Sequence, residues 1–192
     1  MFRLFCSCAP ALVGALLLAG CQLPTGGPPR NPALAAAEAR LFAVPATGKK
    51  SSIGQLRYVT PARSVIGDTV VNRSGGGEYF QVDFAAGPGV PLMRLQIAGD
   101  EALAEGLFAW GRWRGKVDRH PGRVAQWVAL RDVFLIADNP ASRKTRLQKA
   151  HSLRSTKTPW NATIERDGSG GIRRLNVEFP AKKERFTFVF AP

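Results

Sequence analysis

From Ile53 onward, hydrophobic and polar positions alternate with a period of two along most of the chain, and that alternation predicts strands. Three such runs come first, Ile53–Thr60, Ser64–Arg73 and Glu78–Phe84, separated by Pro61 and by Ser74-Gly75-Gly76-Gly77. In the third, Phe80, Val82 and Phe84 share one face, while Tyr79, Gln81 and Asp83 share the other. Val90–Ile97 follows across Ala85-Ala86-Gly87-Pro88-Gly89, with Met93, Leu95 and Ile97 on one side and Leu92, Arg94 and Gln96 opposite. Ala102–Arg114 reads as a further strand or hairpin, ending near Trp110 and Trp113. Together these runs predict an antiparallel meander with one apolar face and one wet face.

The period then lengthens. Arg123–Ala137 sets Val124, Trp127, Val128, Arg131, Phe134 and Leu135 near one helical stripe, and Asn139-Pro140 stops it. Ala141–Leu153 reads as a polar helix or loop. Strands return at Trp160–Glu165, Ile172–Phe179 and Glu184–Phe190, split by Asp167-Gly168-Ser169-Gly170-Gly171 and by Pro180. In the last of them Phe186, Phe188 and Phe190 line one face. Upstream, Ala33–Phe42 is a short Ala-rich helix stopped before Pro45. About eight strands with one apolar face must curl, close or be covered, and so few helices cannot cover a flat sheet on both sides. The expected fold is mainly β (α+β): a curved, antiparallel, unclosed β-barrel with one to three helices over its concave face.

The N-terminus adds a compartment. Arg3 precedes an apolar run from Ala9 to Ala19, 11 residues long and short of the roughly 20 that cross a bilayer, so residues 1–20 read as a secretory signal. The run ends in Leu18-Ala19-Gly20-Cys21, which resembles the lipobox of bacterial lipoproteins. That resemblance implies cleavage before Cys21, a diacylglyceryl thioether on its sulfur and a further acyl chain such as palmitate on the new amino terminus. Two or three long chains anchor a protein durably, since each buried methylene is worth about 0.8 kcal/mol. The other two of the three cysteines, Cys6 and Cys8, leave with the signal, so neither a disulfide nor a cysteine-based metal site is expected. Gln22 replaces the Asp that retains such proteins at the inner membrane in the usual Gram-negative sorting rule. It implies the outer membrane, with the protein facing the periplasm. Residues 21–32, rich in Pro and Gly, form a semi-extended tether of roughly 30 Å, leaving 33–192 as a single domain.

Charge narrows the partners. Twenty-seven Lys and Arg stand against 14 Asp and Glu, a formal net charge of +13. Only Arg3 of these charges lies within residues 1–20. Such an excess suits an anionic partner, and export excludes nucleic acid, leaving anionic lipid headgroups and cell-wall polymer. No acid lies between Asp138 and Glu165, an interval that carries Arg143, Lys144, Arg146, Lys149, Arg154 and Lys157. Arg143, Lys144, Arg146 and Lys149 are the anionic-surface candidates, against the ordinary alternative of a solvated helix face. Arg112, Arg114, Lys116, Arg119 and Arg123 form a second basic group beside Trp110 and Trp113, a combination that favours membrane interfaces.

Several local runs resemble the LolA/LolB family of lipoprotein carriers and receptors, and in particular its outer-membrane receptor branch. Glu78–Phe84, Gly87-Pro88-Gly89 and Leu92–Ile97 resemble that branch's central hairpin. Gln126-Trp127-Val128 resembles a position of its lid helix, and Trp160-Asn161-Ala162-Thr163-Ile164 with Phe179-Pro180 its closing strands. The resemblance spans most of Ile53–Phe190. It implies an unclosed barrel whose helical lid covers an apolar cavity for acyl chains, lipoproteins or their periplasmic carrier as partners, and a role in protein transport. Phe80, Val82, Phe84, Met93, Leu95, Trp127, Phe134, Phe186, Phe188 and Phe190 are the cavity candidates; the same alternation also fits a dry core, which a domain of this size needs in any case. The receptor's hairpin loop carries a leucine that enters the membrane. Here Pro88 occupies that place between two glycines, and Leu92 is the substitute candidate.

Catalysis finds little footing. His120 and His151 both sit beside basic residues, and no His, Cys or carboxylate set has metal-ligand spacing. Gly168-Ser169-Gly170 lacks the spacing of a nucleophile elbow, and Gly75–Gly77 lacks a P-loop lysine and precedes a strand. Neither enzymatic activity nor a cofactor is expected, and the domain is expected to be a monomer.

Overall fold

In the computed structural model, residues 32–43, 48–87, 90–139, 146–149 and 158–192 are described. An Ala-rich helix, α1 (Pro32–Leu41), comes first. Ten strands follow: β1 (Lys49–Val59), β2 (Ser64–Ser74), β3 (Tyr79–Ala85), β4 (Pro91–Ala98), β5 (Glu101–Gly106), β6 (Gly111–Lys116), β7 (Arg146–Lys149), β8 (Trp160–Arg166), β9 (Ile172–Phe179) and β10 (Glu184–Phe190). Between β6 and β7 runs the second helix, α2 (Ala125–Asp138). All ten strands join one antiparallel sheet in the order β6-β5-β4-β3-β2-β1-β10-β9-β8-β7, with β6 and β7 left as edges. The fold is therefore mostly β, an antiparallel sheet that curves without closing. The termini of the strand series meet in the middle, where β10 adds to β1 from Gly54↔Phe190 to Val59↔Arg185.

Two strands more than expected come from two places. Ala102–Arg114 is a hairpin, because Gly106 and Gly111, both at positive φ, bracket the turn Leu107–Trp110. Arg146–Lys149 pairs with β8 where a polar helix or loop was expected; among the described residues the interior holds one helix of more than three residues, α2.

Curvature has an identifiable source at two glycines. A Cβ on Gly54 would lie 2.1 Å from the Val189 carbonyl oxygen, and one on Gly67 would lie 2.0 Å from that of Ala85. Adjacent strands therefore approach more closely there than any side chain allows, and the sheet bends across the β10–β1–β2–β3 region. A register shift between Phe84 and Ala85 adds a second irregularity.

β1 to β5 and β8 to β10 turn apolar residues inward, and with α2 these form a core that lies within residues 56–190. Residues 39–192 form one compact unit that contains all of it. The opposite sheet face differs from the wet surface that the alternation predicts. Tyr79, Gln81 and Asn72 are buried there. Tyr79 Oη donates to Gln81 Oε1 at 2.8 Å, Asn72 Nδ2 donates to the same oxygen at 3.4 Å, and Gln81 Nε2 donates to Asp83. Burial pushes the Tyr79 hydroxyl up to about 12.

α2 is apolar on nearly every side, as a helix enclosed by a sheet has to be. Trp127, Val128, Leu130, Val133 and Phe134 are fully enclosed, whereas Leu135, assigned to the inner stripe by periodicity, is partly exposed. Four arginines tie the helix to the sheet. Arg123 Nε donates to the Ala109 carbonyl at 2.7 Å, Arg131 Nη1 to that of Gly99 at 3.1 Å, and Arg166 Nη2 to that of Ala137. At the C-terminal turn Arg73 grips Asp138 with two bonds, Nε–Oδ2 at 2.7 Å and Nη2–Oδ1 at 3.1 Å. Asn139 ends the helix in an extended conformation, the one that a following proline imposes.

Candidate functional site

All ten cavity candidates converge. Phe80, Val82 and Phe84 on β3, Met93 and Leu95 on β4, Trp127 and Phe134 on α2, and Phe186, Phe188 and Phe190 on β10 belong to a single buried cluster. Two positions of α2, seven residues apart and so on one face, act as the organising rings. Phe134 meets Phe188 at 5.3 Å, Phe80 at 5.7 Å and Phe190 at 6.2 Å between ring centroids. Trp127 meets Phe186 at 4.9 Å, Tyr58 at 5.2 Å, Phe108 at 6.0 Å and Phe84 at 6.1 Å. These are contact distances for packed aromatic rings, so among the described residues these rings fill the space between α2 and the sheet.

Among the described residues, two hollows lie elsewhere and are bordered by charged side chains. One of about 630 Å³ is bordered by Lys50, Arg73, Asp138, Arg166, Asp167 and Phe190, where α2 ends. Another of about 420 Å³ is bordered by Asp100, Lys116, Asp118, Arg119 and Arg131. Of the ten candidates, only Phe190 borders either.

Inside the aromatic cluster one polar atom is poorly paired. Trp127 is 1 % exposed, and its indole Nε1 meets no acceptor in good hydrogen-bond geometry, although it lies close enough to the Tyr58 hydroxyl to hold that group's pKa down in part; Trp160 Nε1, equally buried, has no partner. A buried donor without an acceptor is unusual in a folded protein. Beside Trp127, Tyr58 Oη donates to Glu184 Oε2 at 2.9 Å, at the edge of the core. Burial raises the Glu184 carboxyl above its ordinary range, an effect that the Tyr58 hydrogen bond opposes in part. Burial likewise raises Tyr58, and the neighbouring Glu184 raises it further, so the hydroxyl stays protonated. Arg63 lies over the Phe108 ring, 4.8 Å from its centroid, and closes this end of the aromatic column.

Tyr58 and Phe108 were not among the candidates. Tyr58 shares the inward parity of Leu56 on β1, a signal present in the alternation. Phe108 lies in a four-residue turn within Ala102–Arg114, the run that reads as a strand or hairpin, where alternation does not fix its direction.

The other candidates fall differently. Leu92 is no membrane wedge, for it is buried: the β5–β6 turn folds over it, with Phe108 N–H donating to the Leu92 carbonyl at 3.0 Å. Its inward direction, shared with the adjacent Met93, follows from the register shift at the end of β3. Cys21, Pro88, Arg143 and Lys144 lie outside the described residues, as do the side chains of Arg146 and Lys149. Part of the second basic group is paired on the sheet surface. Lys116 Nζ lies 2.8 Å from both Asp100 and Glu101, and Arg114 lies 3.8 Å from Glu101. Arg123, in contrast, turns to Trp110, its guanidinium carbon 5.9 Å from the ring centroid. No group of three or more His, Cys, Asp or Glu among the described residues is placed to hold a metal ion.

No family model matches the chain, and neither does any curated protein. Among solved structures, it is similar to a LolA superfamily protein from Nitrosomonas europaea, with 8 % identity, a TM-score of 0.42, and coverage of 82 % of this chain and 91 % of that one. It is also similar to the lipoprotein LppX of Mycobacterium tuberculosis, with 11 % identity, a TM-score of 0.33, and coverage of 84 % and 95 %. At these scores neither likeness carries an argument for this chain.

Proposed function

We propose that the domain takes up acyl chains between its curved sheet and α2, and passes them on without covalent chemistry. The observation that carries this reading is the buried aromatic cluster that one helix closes, with the Trp127 indole poorly paired inside it. Moving α2 outward exposes an apolar trough lined by Phe80, Phe84, Phe186 and Phe188. An acyl chain refills that trough, and an ester or amide carbonyl at its head gives the indole a better-aligned acceptor than the Tyr58 hydroxyl beside it. The four arginine ties bind the helix near its ends and at one middle position, while Trp127 and Phe134 meet the sheet mainly through ring contacts. Apolar contact is non-directional, so one set of side chains accepts either α2 or acyl chains. With the lipobox at Leu18–Cys21, the cargo expected is the acylated end of other lipoproteins, and the location expected is the outer membrane. Receipt of that cargo from a periplasmic carrier belongs to the same proposal.

Titration with a fluorescent fatty-acyl ester tests it. Binding should saturate at a defined ratio and should weaken about fivefold in Trp127→Phe, the effect of losing one hydrogen bond of about 1 kcal/mol. A fluorescent hydrocarbon without a carbonyl should not distinguish the two proteins. Failure of the ester to bind sinks the reading, and equal binding of the ester to both proteins removes Trp127 from it.

A further inference from the structure

The two ends of the sheet differ in charge. At one end lie the loops joining β1 to β2 (Thr60–Arg63), β3 to β4 (of which Ala86, Gly87 and Val90 are described), β5 to β6 (Leu107–Trp110) and β9 to β10 (Pro180–Lys183), brought together by the antiparallel registers. These four loops carry Arg63, Lys182 and Lys183 and no acid. At the other end, the loops joining β2 to β3 (Gly75–Glu78), β4 to β5 (Gly99-Asp100) and β8 to β9 (Asp167–Gly171) carry Glu78, Asp100 and Asp167 and no base. The acids on the strands nearest the basic end, Glu105, Glu178 and Glu184, are engaged by Arg94, Arg185 and Tyr58.

Exposed apolar side chains gather at that same basic end. Trp110 is 78 % exposed, Val90 56 % and Leu107 55 %. They stand on neighbouring loops, because Phe108 N–H binds the Leu92 carbonyl and so draws the β5–β6 turn over the start of β4. Trp110 also adopts φ 55°, a left-handed conformation that suits glycine and disfavours a large side chain. An indole is thus held outward in an unfavourable backbone conformation, with Arg123 against its ring and no apolar neighbour among the described residues that buries it.

We infer that this end of the domain docks on an anionic lipid bilayer. Val90, Leu107 and Trp110 enter the headgroup boundary, the depth at which tryptophan is favoured. Arg63, Lys182 and Lys183 face the lipid phosphates. The inference stands on the exposed tip and the charge of its loops, independently of acyl uptake. Where both hold, the tip points the Phe108 end of the aromatic column at the bilayer.

The test is sedimentation of the unit 39–192 with vesicles of phosphatidylethanolamine and phosphatidylglycerol, against vesicles of phosphatidylcholine alone. Binding is expected to the anionic vesicles, with a blue shift of tryptophan emission, and to fall as salt screens the loops. The double variant Leu107→Ser/Trp110→Gly should weaken binding at least about tenfold, since each large apolar side chain kept out of water is worth that much or more. Lys182→Gln/Lys183→Gln should weaken it about fivefold per lysine. Glycine suits the backbone at position 110 and both side chains are exposed, so the first variant should unfold no more readily than the parent. Equal binding to the two kinds of vesicle overturns the inference. So does undiminished binding by a folded Leu107→Ser/Trp110→Gly variant, including the case in which only the lysines matter, which would point to an anionic polymer. Acyl-ester binding unchanged in this variant shows that the tip and the interior have been probed separately.

Discussion

Gly54 and Gly67 set the curvature of the sheet one atom at a time. A methyl at Gly67 would fall 2.0 Å from a backbone oxygen, not from a side chain that can turn away. Gly67→Ala and Gly54→Ala should therefore each cost about 1–3 kcal/mol, the range for forced overpacking. Gly75→Ala, at an exposed site where a Cβ meets nothing within 4 Å, should change stability by less than about 0.5 kcal/mol. Denaturant midpoints compare the three. Glu184 gives a second test at this scale. Its folded-state pKa is raised, so between the ordinary carboxylate pKa and that higher value the folded protein holds more proton than the unfolded chain. The contribution of Glu184 is therefore fully present at low pH and is lost as pH rises through the raised value. Glu184→Gln should remove that decline from the pH dependence of the unfolding free energy, and an unchanged slope would contradict the assignment. What the sequence discloses at this scale is uneven. The inward parity of Phe80, Phe84, Phe186 and Phe188 is plain from alternation, whereas nothing in the pattern marks Gly67 as a close approach or Trp127 Nε1 as poorly paired. Both depend on which strand or ring lies opposite, a fact of tertiary structure.

Elements were legible where the period is long and the stop is chemical. α2 stands where Arg123–Ala137 shows helical spacing, and Asn139-Pro140 ends it for the reason given by proline geometry. Leu135 shows the limit of the method: a stripe read at helical spacing cannot tell which flank the sheet leaves open. The β5–β6 hairpin was harder to see, because Leu107-Phe108-Ala109-Trp110 contains none of the usual turn residues and its two glycines lie just outside. Leu92 was misassigned through strict alternation, which a register shift breaks. At this scale the tie between Arg73 and Asp138 decides how firmly α2 is held. Arg73 is 6 % exposed, so Asp138→Asn leaves a buried guanidinium with a weakened partner, at a cost of about 3 kcal/mol. Amide hydrogen exchange should accelerate in the last turn of α2 more than in β3 or β10. Uniform acceleration across the sheet would show that the pair stabilises the whole fold and not the helix end.

On the scale of the whole molecule, the sequence yields the architecture because one apolar face repeated over many strands leaves few solutions. One helix is enough to fill an open, curved sheet if that helix is apolar on nearly all sides, and α2 meets the condition. The same arrangement limits what a sequence can say of function: side chains that line a cavity and side chains that fill a core obey one alternation. The structure adds that the rings are in contact beneath α2, so the uptake proposed above requires the helix to move. It also places the basic and acidic loops at opposite ends, an asymmetry that the net charge of +13 does not reveal. The most direct measurement is organic extraction of the unit 39–192, purified from cells without detergent, followed by mass spectrometry of the extract. The account predicts acyl lipid recovered at a fixed ratio to protein, and less of it from Trp127→Phe. A protein that yields no acyl species, and takes none up when offered a fatty-acyl ester, would contradict it.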